Sequence, residues 1–122
     1  MKLLLDSVIL IDHLNSIRAA TEYLAKVHMH AAISVVTRAE VLTGYDPAAA
    51  VPIQRFLEAF PTLSIDQAVA DKCAALCREH KWKTPDAFQA AIAQIHKLKL
   101  ATRNTKCFPP DRYDFVVIPY EI

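Results

Sequence analysis

Glycine is almost absent from this sequence: its 122 residues contain one, Gly44. Walker loops, dinucleotide-binding fingerprints and the glycine-rich loops of kinases each need several glycines, because their backbone must approach phosphate closely. The scarcity of glycine therefore excludes these classes of nucleotide site. Any contact that this protein makes with phosphate has to come from side chains.

Cysteine is also scarce, and its three positions (Cys73, Cys77 and Cys107) do not have the spacing of a disulfide scaffold. This usage is typical of a reducing compartment. The apolar N-terminal run meets a charge at Asp6, so no signal-peptide core forms. No uncharged stretch is long enough to span a bilayer. We therefore expect a soluble, cytoplasmic protein that does not insert into membranes.

The composition is that of a globular protein, with 53% hydrophobic and 22% charged residues. A chain of this length predicts a single domain, residues 1–122, with one core. The net charge of +1 is uninformative, but between residues 81 and 106 basic side chains surround one acid, Asp86. They are Lys81, Lys83, Lys97, Lys99, Arg103 and Lys106. This field suits an anionic substrate, and an ordinary solvated surface explains it equally well.

Short apolar runs alternate with helical patterns along the chain. The predicted strands are residues 2–6, 31–34, 63–65, 100–102 and 115–118, and the predicted helices are residues 7–14, 15–27, 37–43, 47–60, 66–80 and 84–98. Strands that read as continuous apolar runs between helices predict an α/β fold, with a central parallel sheet of about five strands flanked by helices. Gly44 is predicted to cap the helix over residues 37–43.

Three acids are predicted to meet at the carboxyl edge of this sheet, where functional sites of such folds lie. Asp6 ends the first strand, Glu40 lies one turn into the helix after the second, and Asp86 lies in the first turn of the helix before the fourth. Clustered carboxylates repel one another and need a cation. Mg²⁺ and Mn²⁺ take oxygen ligands, activate water and offset charge on a phosphodiester.

Each acid also has a simpler explanation. The sequence from Thr37 to Glu40 fits a capping box. Asp86 fits the second position of a helix capped by Thr84, where the helix dipole favours an acid. Asp6 fits a cap of the helix that follows it. Taken singly these explanations are the better ones, whereas the three acids together favour the metal site.

Four segments in order resemble the motifs of one family. They are LLLDSVILID at 3–12, ISVVTRAEVLTG at 33–44, TPDAFQAAIA at 84–93 and LATRNTKCF at 100–108. With these segments the chain resembles the PIN-domain family, of the kind found as VapC-type toxins of toxin–antitoxin pairs. The resemblance implies a PIN fold, endonucleolytic cleavage of RNA that depends on Mg²⁺ or Mn²⁺, a small antitoxin partner and a homodimer.

The resemblance also implies roles for individual residues. It makes Asp6, Glu40 and Asp86 the catalytic residues and metal ligands. Supporting or substrate-binding roles fall to Ser7, Thr102, Arg103, Asn104 and Lys106. Of these, Arg103 and Lys106 are expected to hold the RNA backbone, and the others to hydrogen-bond a carboxylate, a water or the phosphate.

One departure from the family pattern bears on activity. Cys107 stands where the family usually has a fourth acid, and a thiol is a poor ligand for Mg²⁺. We therefore expect weak or Mn²⁺-favoured cleavage, unless Asp111 or Asp114 takes the place of the missing acid. The alternative is a catalytically weakened PIN-fold module that binds RNA or protein.

Three further patterns have two interpretations each. Cys73, Cys77 and His80 share one helical face at a spacing that suits zinc, although their apolar neighbours are more typical of a core helix. Trp82 lies between two lysines, so it either stacks on a base or packs on its own helix end. The apolar faces within residues 17–27 and 47–60 are either an antitoxin groove or dimer face, or ordinary core-facing helices.

Overall fold

The computed structural model describes residues 1–122 as five strands and six α-helices. The elements in chain order are β1 Leu3–Leu5, α1 Ser7–Leu14, α2 Arg18–Val27, β2 Ala31–Ser34, α3 Val35–Leu42, α4 Pro47–Leu57, β3 Thr62–Leu63, α5 Gln67–His80, α6 Thr84–Ile95, β4 Lys99–Ala101 and β5 Val116–Val117, with a 3-10 turn at His28–His30. None of these helices combines the length and the apolar character needed to cross a membrane.

The five strands form one parallel sheet in the order β3-β2-β1-β4-β5. In its centre, Leu4 of β1 lies opposite Ala32 of β2 and Leu100 of β4. Because the strands are parallel, all their carboxyl ends lie at the same edge. Asp6 follows β1 and Thr102 follows the adjacent β4, so the pairing places these two residues side by side. The predicted α/β class is confirmed.

Two buried clusters cover the two faces of the sheet. One is formed around α5 and α6, and the other around α1, α2, α3 and α4. In α6, Ala87, Ala90, Ala91 and Ala93 are fully buried, so the helix presents methyl groups to its neighbours and packs closely against the sheet. Leu24 of α2 and Leu57 of α4 are also core residues. Both of these helices therefore have core-facing sides, as one interpretation of the sequence predicted.

The starts of α3 and α6 differ from the sequence-based expectation. Ser34, at the end of β2, is the N-cap of α3, and its hydroxyl accepts a hydrogen bond from the Thr37 N–H at 3.0 Å. Thr37 is therefore inside the helix, and the capping box from Thr37 to Glu40 is wrong. At α6 the N-cap residue is Lys83, without a side-chain cap, so the capping role expected of Thr84 is also wrong.

Gly44 does not provide a left-handed helix cap. Its N–H donates to the carbonyl of Val41 at 3.3 Å, but its φ is not positive. The left-handed positions belong instead to Ser16, Lys81 and Lys97, with φ of 63°, 58° and 57°. A Cβ at Gly44 would meet the Val41 carbonyl oxygen at 3.5 Å, which is ordinary contact. The backbone therefore does not require the single glycine.

Candidate active site

Asp6 is held in place by groups from three segments. Its Oδ2 accepts a 2.6 Å hydrogen bond from the Thr102 hydroxyl, and its Oδ1 accepts from the Ser7 N–H at 2.9 Å and from the Gln89 amide at 3.3 Å. The Ser7 bond makes Asp6 the N-cap of α1, as the simpler explanation predicted. Because Thr102 and Gln89 come from distant parts of the chain, the carboxylate has more partners than capping alone requires.

A buried polar network lies beneath Asp6, with Gln89 at its centre. The Gln89 side chain is 2% exposed; its Nε2 donates to the Thr37 hydroxyl at 2.6 Å, and its Oε1 accepts from the Ser34 hydroxyl at 2.6 Å. The Thr37 hydroxyl in turn reaches the carbonyl of Leu5 at 3.4 Å. No buried side-chain nitrogen or oxygen in the protein lacks a partner. The network ties α6 to the ends of β1 and β2.

Gln89 is a residue of the site that the sequence motifs did not predict. The signal was present, because Gln89 is an amide between Phe88 and Ala90, on the alanine-rich face of α6. A polar residue on a buried helical face must find hydrogen-bond partners, since an unpaired buried amide costs free energy. What the sequence did not supply was the identity of those partners.

Glu40 and Asp86 lie within electrostatic range of Asp6. The pKa of Glu40 is raised, first by desolvation and then by the charges of Asp6 and Asp86, against a hydrogen bond from Ser7. The pKa of Asp86 is raised by desolvation and by the charge of Asp6, while Cys107 and Lys83 lower it. The structure thus places the three predicted acids within electrostatic range of one another, at the carboxyl edge of the sheet.

Cys107 occupies the fourth corner of this acidic cluster. Its thiol lies within interaction range of the Asp86 carboxylate, and burial together with the Asp86 charge raises the pKa of the thiol to about 11. The Cys107 N–H donates to the Asn104 side-chain carbonyl at 3.3 Å, and the Asn104 N–H donates to the Thr102 hydroxyl at 3.0 Å. At neutral pH the corner therefore holds an uncharged thiol where the family pattern has a carboxylate.

Arg103 forms an ion pair instead of facing solvent freely. Its Nε and Nη2 donate to the Asp12 carboxylate at 2.9 and 3.2 Å, and the Tyr120 hydroxyl donates to the same carboxylate at 2.7 Å. Asp12 is only 8% exposed. These bonds fasten the loop after β4 and the C-terminal segment to α1. Arg103 therefore braces this part of the fold, a role that the sequence did not predict.

Asp111 and Asp114 do not replace the missing fourth acid. Asp114 precedes β5, and its carbonyl accepts a hydrogen bond from the Lys99 ammonium at the start of β4. It therefore lies at the amino edge of the parallel sheet, opposite to Asp6. Asp111 lines a cavity together with Asp114 and Gln94. No residue that lines this cavity belongs to the acidic cluster. The expectation that either of these acids substitutes is wrong.

The zinc interpretation of α5 has no support in the structure. Cys73 is buried in the core, and its pKa is raised to about 11 by burial and by Cys77. The His80 ring stacks on Trp82 with centroids 4.2 Å apart, so Trp82 packs on the end of its own helix. No three His, Cys, Asp or Glu side chains anywhere in the chain form a ready-made metal site, the carboxylates at the sheet edge included.

Comparison with known proteins identifies relatives over most of the chain. The PIN-domain family model matches residues 3–114. Ribonuclease VapC10 of Mycobacterium tuberculosis is 31% identical over 114 residues, which cover 88% of this chain and 86% of the relative.

Solved structures share the same architecture. A toxin–antitoxin complex from Klebsiella pneumoniae contains a chain that is 39% identical, with a TM-score of 0.89 and coverage of 99% of this chain and 100% of that one. FitAcB from Neisseria gonorrhoeae aligns with a TM-score of 0.79 over 98% and 99% of the two chains at 23% identity, which is a likeness of fold. With a family model that spans nearly all of its residues and a relative of this similarity, the chain belongs to the PIN-domain family.

Proposed function

We propose that this chain is a metal-dependent endoribonuclease, the toxin component of a toxin–antitoxin pair, and that residues 1–122 form its single PIN domain. The observation that carries the proposal is the cluster of Asp6, Glu40 and Asp86, whose mutual repulsion contributes to the raised pKa values of Glu40 and Asp86. The ribonuclease relative and the toxin–antitoxin structure support the choice of substrate and setting.

The donor set of the cluster fits a hard divalent cation. Three carboxylates from three elements offer oxygen ligands, and their repulsion is relieved by a positive charge between them. Asp6, Glu40 and Asp86 would hold Mg²⁺ or Mn²⁺. When bound, such an ion supplies charge stabilisation for the phosphate oxygens and lowers the pKa of water.

The side chains around the carboxylates have orienting roles in this proposal. Thr102 donates to Asp6 and accepts from the Asn104 N–H, so it fixes both the carboxylate and the loop beside it. The Asn104 carbonyl oxygen is engaged by the Cys107 N–H, which leaves its amide group as a donor for a phosphate oxygen. The Ser7 hydroxyl lies beside Glu40, whose pKa it lowers, so it is placed to orient that carboxylate. Lys106, exposed on the same loop, faces the RNA backbone.

The proposal includes two protein partners. A cognate small antitoxin covers the acidic cluster and holds the toxin inactive, and two copies of the chain form a homodimer. The similarity to the chain in the Klebsiella pneumoniae toxin–antitoxin complex supports the antitoxin. The basic residues near Asp86 suit an acidic polymer such as RNA, and they equally suit an antitoxin segment that mimics it.

Cleavage assays with different cations test the proposed activity. The chain, purified without its partner, is incubated with a structured RNA in Mg²⁺, in Mn²⁺ or in EDTA, alongside single-stranded DNA of the same sequence. We expect RNA cleavage with Mn²⁺ at least as fast as with Mg²⁺ and none in EDTA. Cleavage that persists in EDTA would contradict metal dependence, and cleavage of DNA alone would reassign the substrate.

Replacing Cys107 by aspartate tests the fourth corner of the cluster. We expect Mg²⁺-supported cleavage by Cys107→Asp to rise about tenfold, because a carboxylate restores an oxygen ligand beside Asp86. Cys107→Asn is the matched control, since it adds an oxygen without charge and should gain less. Rates are measured in both cations. A wild-type chain that is inactive in both, beside an active Cys107→Asp, would establish the weakened binding module instead.

A further inference from the structure

A cleft beside the acidic cluster has more positively than negatively charged side chains in its lining. It encloses about 400 Å³ between the end of α5 and the loop that follows β4. Its lining includes Lys81, Trp82, Lys106, Cys107 and Arg112. Cys107 belongs to both places, because it lines the cleft and also lies within range of the Asp86 and Asp6 charges. A ligand in this cleft would therefore reach the edge of the acidic cluster.

The basic side chains of the cleft form no ion pair, and the Arg112 guanidinium lies over the Tyr113 ring, 5.6 Å from its centroid. Lys81, Lys106 and Arg112 are exposed, and the ion pairs of the chain involve none of them. The only acid in the lining, Glu79, lies 3.8 Å from the His80 ring. The cleft thus has three unpaired cations against one acid, and this charge is complementary to a phosphodiester backbone.

An aromatic wall makes one side of the cleft rigid. The Trp82 ring stacks on His80 and meets Tyr113 edge-on, with centroids 5.3 Å apart. The Tyr113 hydroxyl bonds to His80 Nδ1 at 3.3 Å, and Phe108 packs edge-on against Trp82 at 4.9 Å. Grooves that combine cations with ordered aromatic rings are typical of sites for single-stranded nucleic acid.

We propose that this cleft binds the strand of the RNA substrate that continues from the cleavage position, with its phosphates on Lys81, Lys106 and Arg112 and a base against the aromatic wall. The proposal rests on the proposed ribonuclease function and extends it to a substrate path outside the acidic cluster. The cavity's continuity with Cys107 and its unpaired positive charge carry the inference.

Binding without cleavage separates the cleft from the chemistry. A fluorescent single-stranded RNA of about 12 nucleotides is titrated with protein in EDTA at several salt concentrations, and anisotropy is recorded. For the triple variant Lys81→Ala, Lys106→Ala, Arg112→Ala we expect an affinity about tenfold weaker at 0.1 M salt and a salt slope smaller by about 2, because each phosphate contact on a single strand contributes about 0.7.

The matched control is the triple variant Lys2→Ala, Lys26→Ala, Arg55→Ala, which removes the same charge from exposed positions just before β1, in α2 and in α4. The RNA affinity and the salt slope of this control should equal those of the wild type, because none of its three positions lines the cleft. Trp82 is the only tryptophan, so its fluorescence is a second readout, and RNA should alter its emission. Thermal melts establish that both variants are folded.

The outcomes distinguish this proposal from the proposed function. Equal RNA affinity of the two triple variants, or an unchanged Trp82 emission at saturating RNA, would refute the proposal that the cleft binds RNA. A cleft variant that loses only a protein partner and keeps RNA affinity would also overturn it. If the wild-type chain binds RNA through the cleft but cleaves none with Mg²⁺ or Mn²⁺, the ribonuclease proposal is refuted and the RNA-binding proposal for the cleft is retained.

Discussion

Asp6→Asn is expected to reduce RNA cleavage about a thousandfold and to leave the protein folded. Asp6 lies centrally, since its charge raises the pKa of both Glu40 and Asp86. Asparagine keeps the shape but removes the negative charge that attracts the cation. A thousandfold loss corresponds to about 4 kcal/mol of transition-state stabilisation, which is the size expected for one strong electrostatic contact in an active site.

Stability should change little in Asp6→Asn because two effects oppose each other. Asparagine weakens the 2.6 Å bond from Thr102, but it also removes one of three repelling charges. Single-turnover cleavage with Mn²⁺ and urea unfolding measure the two quantities separately. The matched control is Asp114→Asn, at the opposite edge of the sheet, which should cleave like the wild type. Cleavage by Asp6→Asn at the wild-type rate would refute the assignment of the site.

Gln89→Leu is expected to lower the free energy of unfolding by about 2–4 kcal/mol and to slow cleavage about tenfold. Leucine matches the size of the side chain but removes the donor to Thr37 and Asp6 and the acceptor for Ser34. Leaving buried hydroxyls without these partners costs about 1–3 kcal/mol each. The slower cleavage follows because outer partners of a metal ligand contribute about 10–100-fold to affinity or activity.

Gln94→Leu is the matched control for Gln89→Leu. Gln94 lies on the same helix, is half-buried and makes no side-chain hydrogen bond, so its replacement should change stability by less than about 0.5 kcal/mol. Urea unfolding measures both variants, and Mn²⁺ titration by calorimetry measures how well each holds the ion. Equal stabilities for the two variants, with equal Mn²⁺ affinities, would show that the Gln89 network does not support Asp6.

The class of fold was readable in the sequence, and the three acids as site residues are a prediction from it. Apolar runs and helical periods are local properties, and they predicted the β1 and β2 strands and the helices between them within a few residues. That Asp6 ends a strand follows from the chain itself, since the run Leu3–Leu5 is bounded by it. The order of the four motifs predicted membership of the PIN-domain family, and the family model that matches residues 3–114 confirms it.

The errors arose where local patterns had two solutions. Thr37 and Ser34 are both good helix caps, and only the end of β2 decides that Ser34 is the cap. Asp114 and Cys107 are both close in the chain to Asn104. Asp114 precedes β5 and so lies at the amino edge of the sheet, whereas Cys107 folds back onto Asp86. Distance along the chain does not determine the edge at which a side chain lies.

The sequence by itself excluded a glycine-rich backbone cradle for phosphate, because it contains one glycine, and it predicted that a carboxylate would follow a buried parallel strand. Only the tertiary structure decided which groups hold the carboxylates. Gln89 bonds to Asp6 across 83 residues, and Arg103 bonds to Asp12 across 91. Such pairs depend on the strand order, which sets Thr102 beside Asp6, and on the close packing of α6. Neither is a property of any local stretch of sequence.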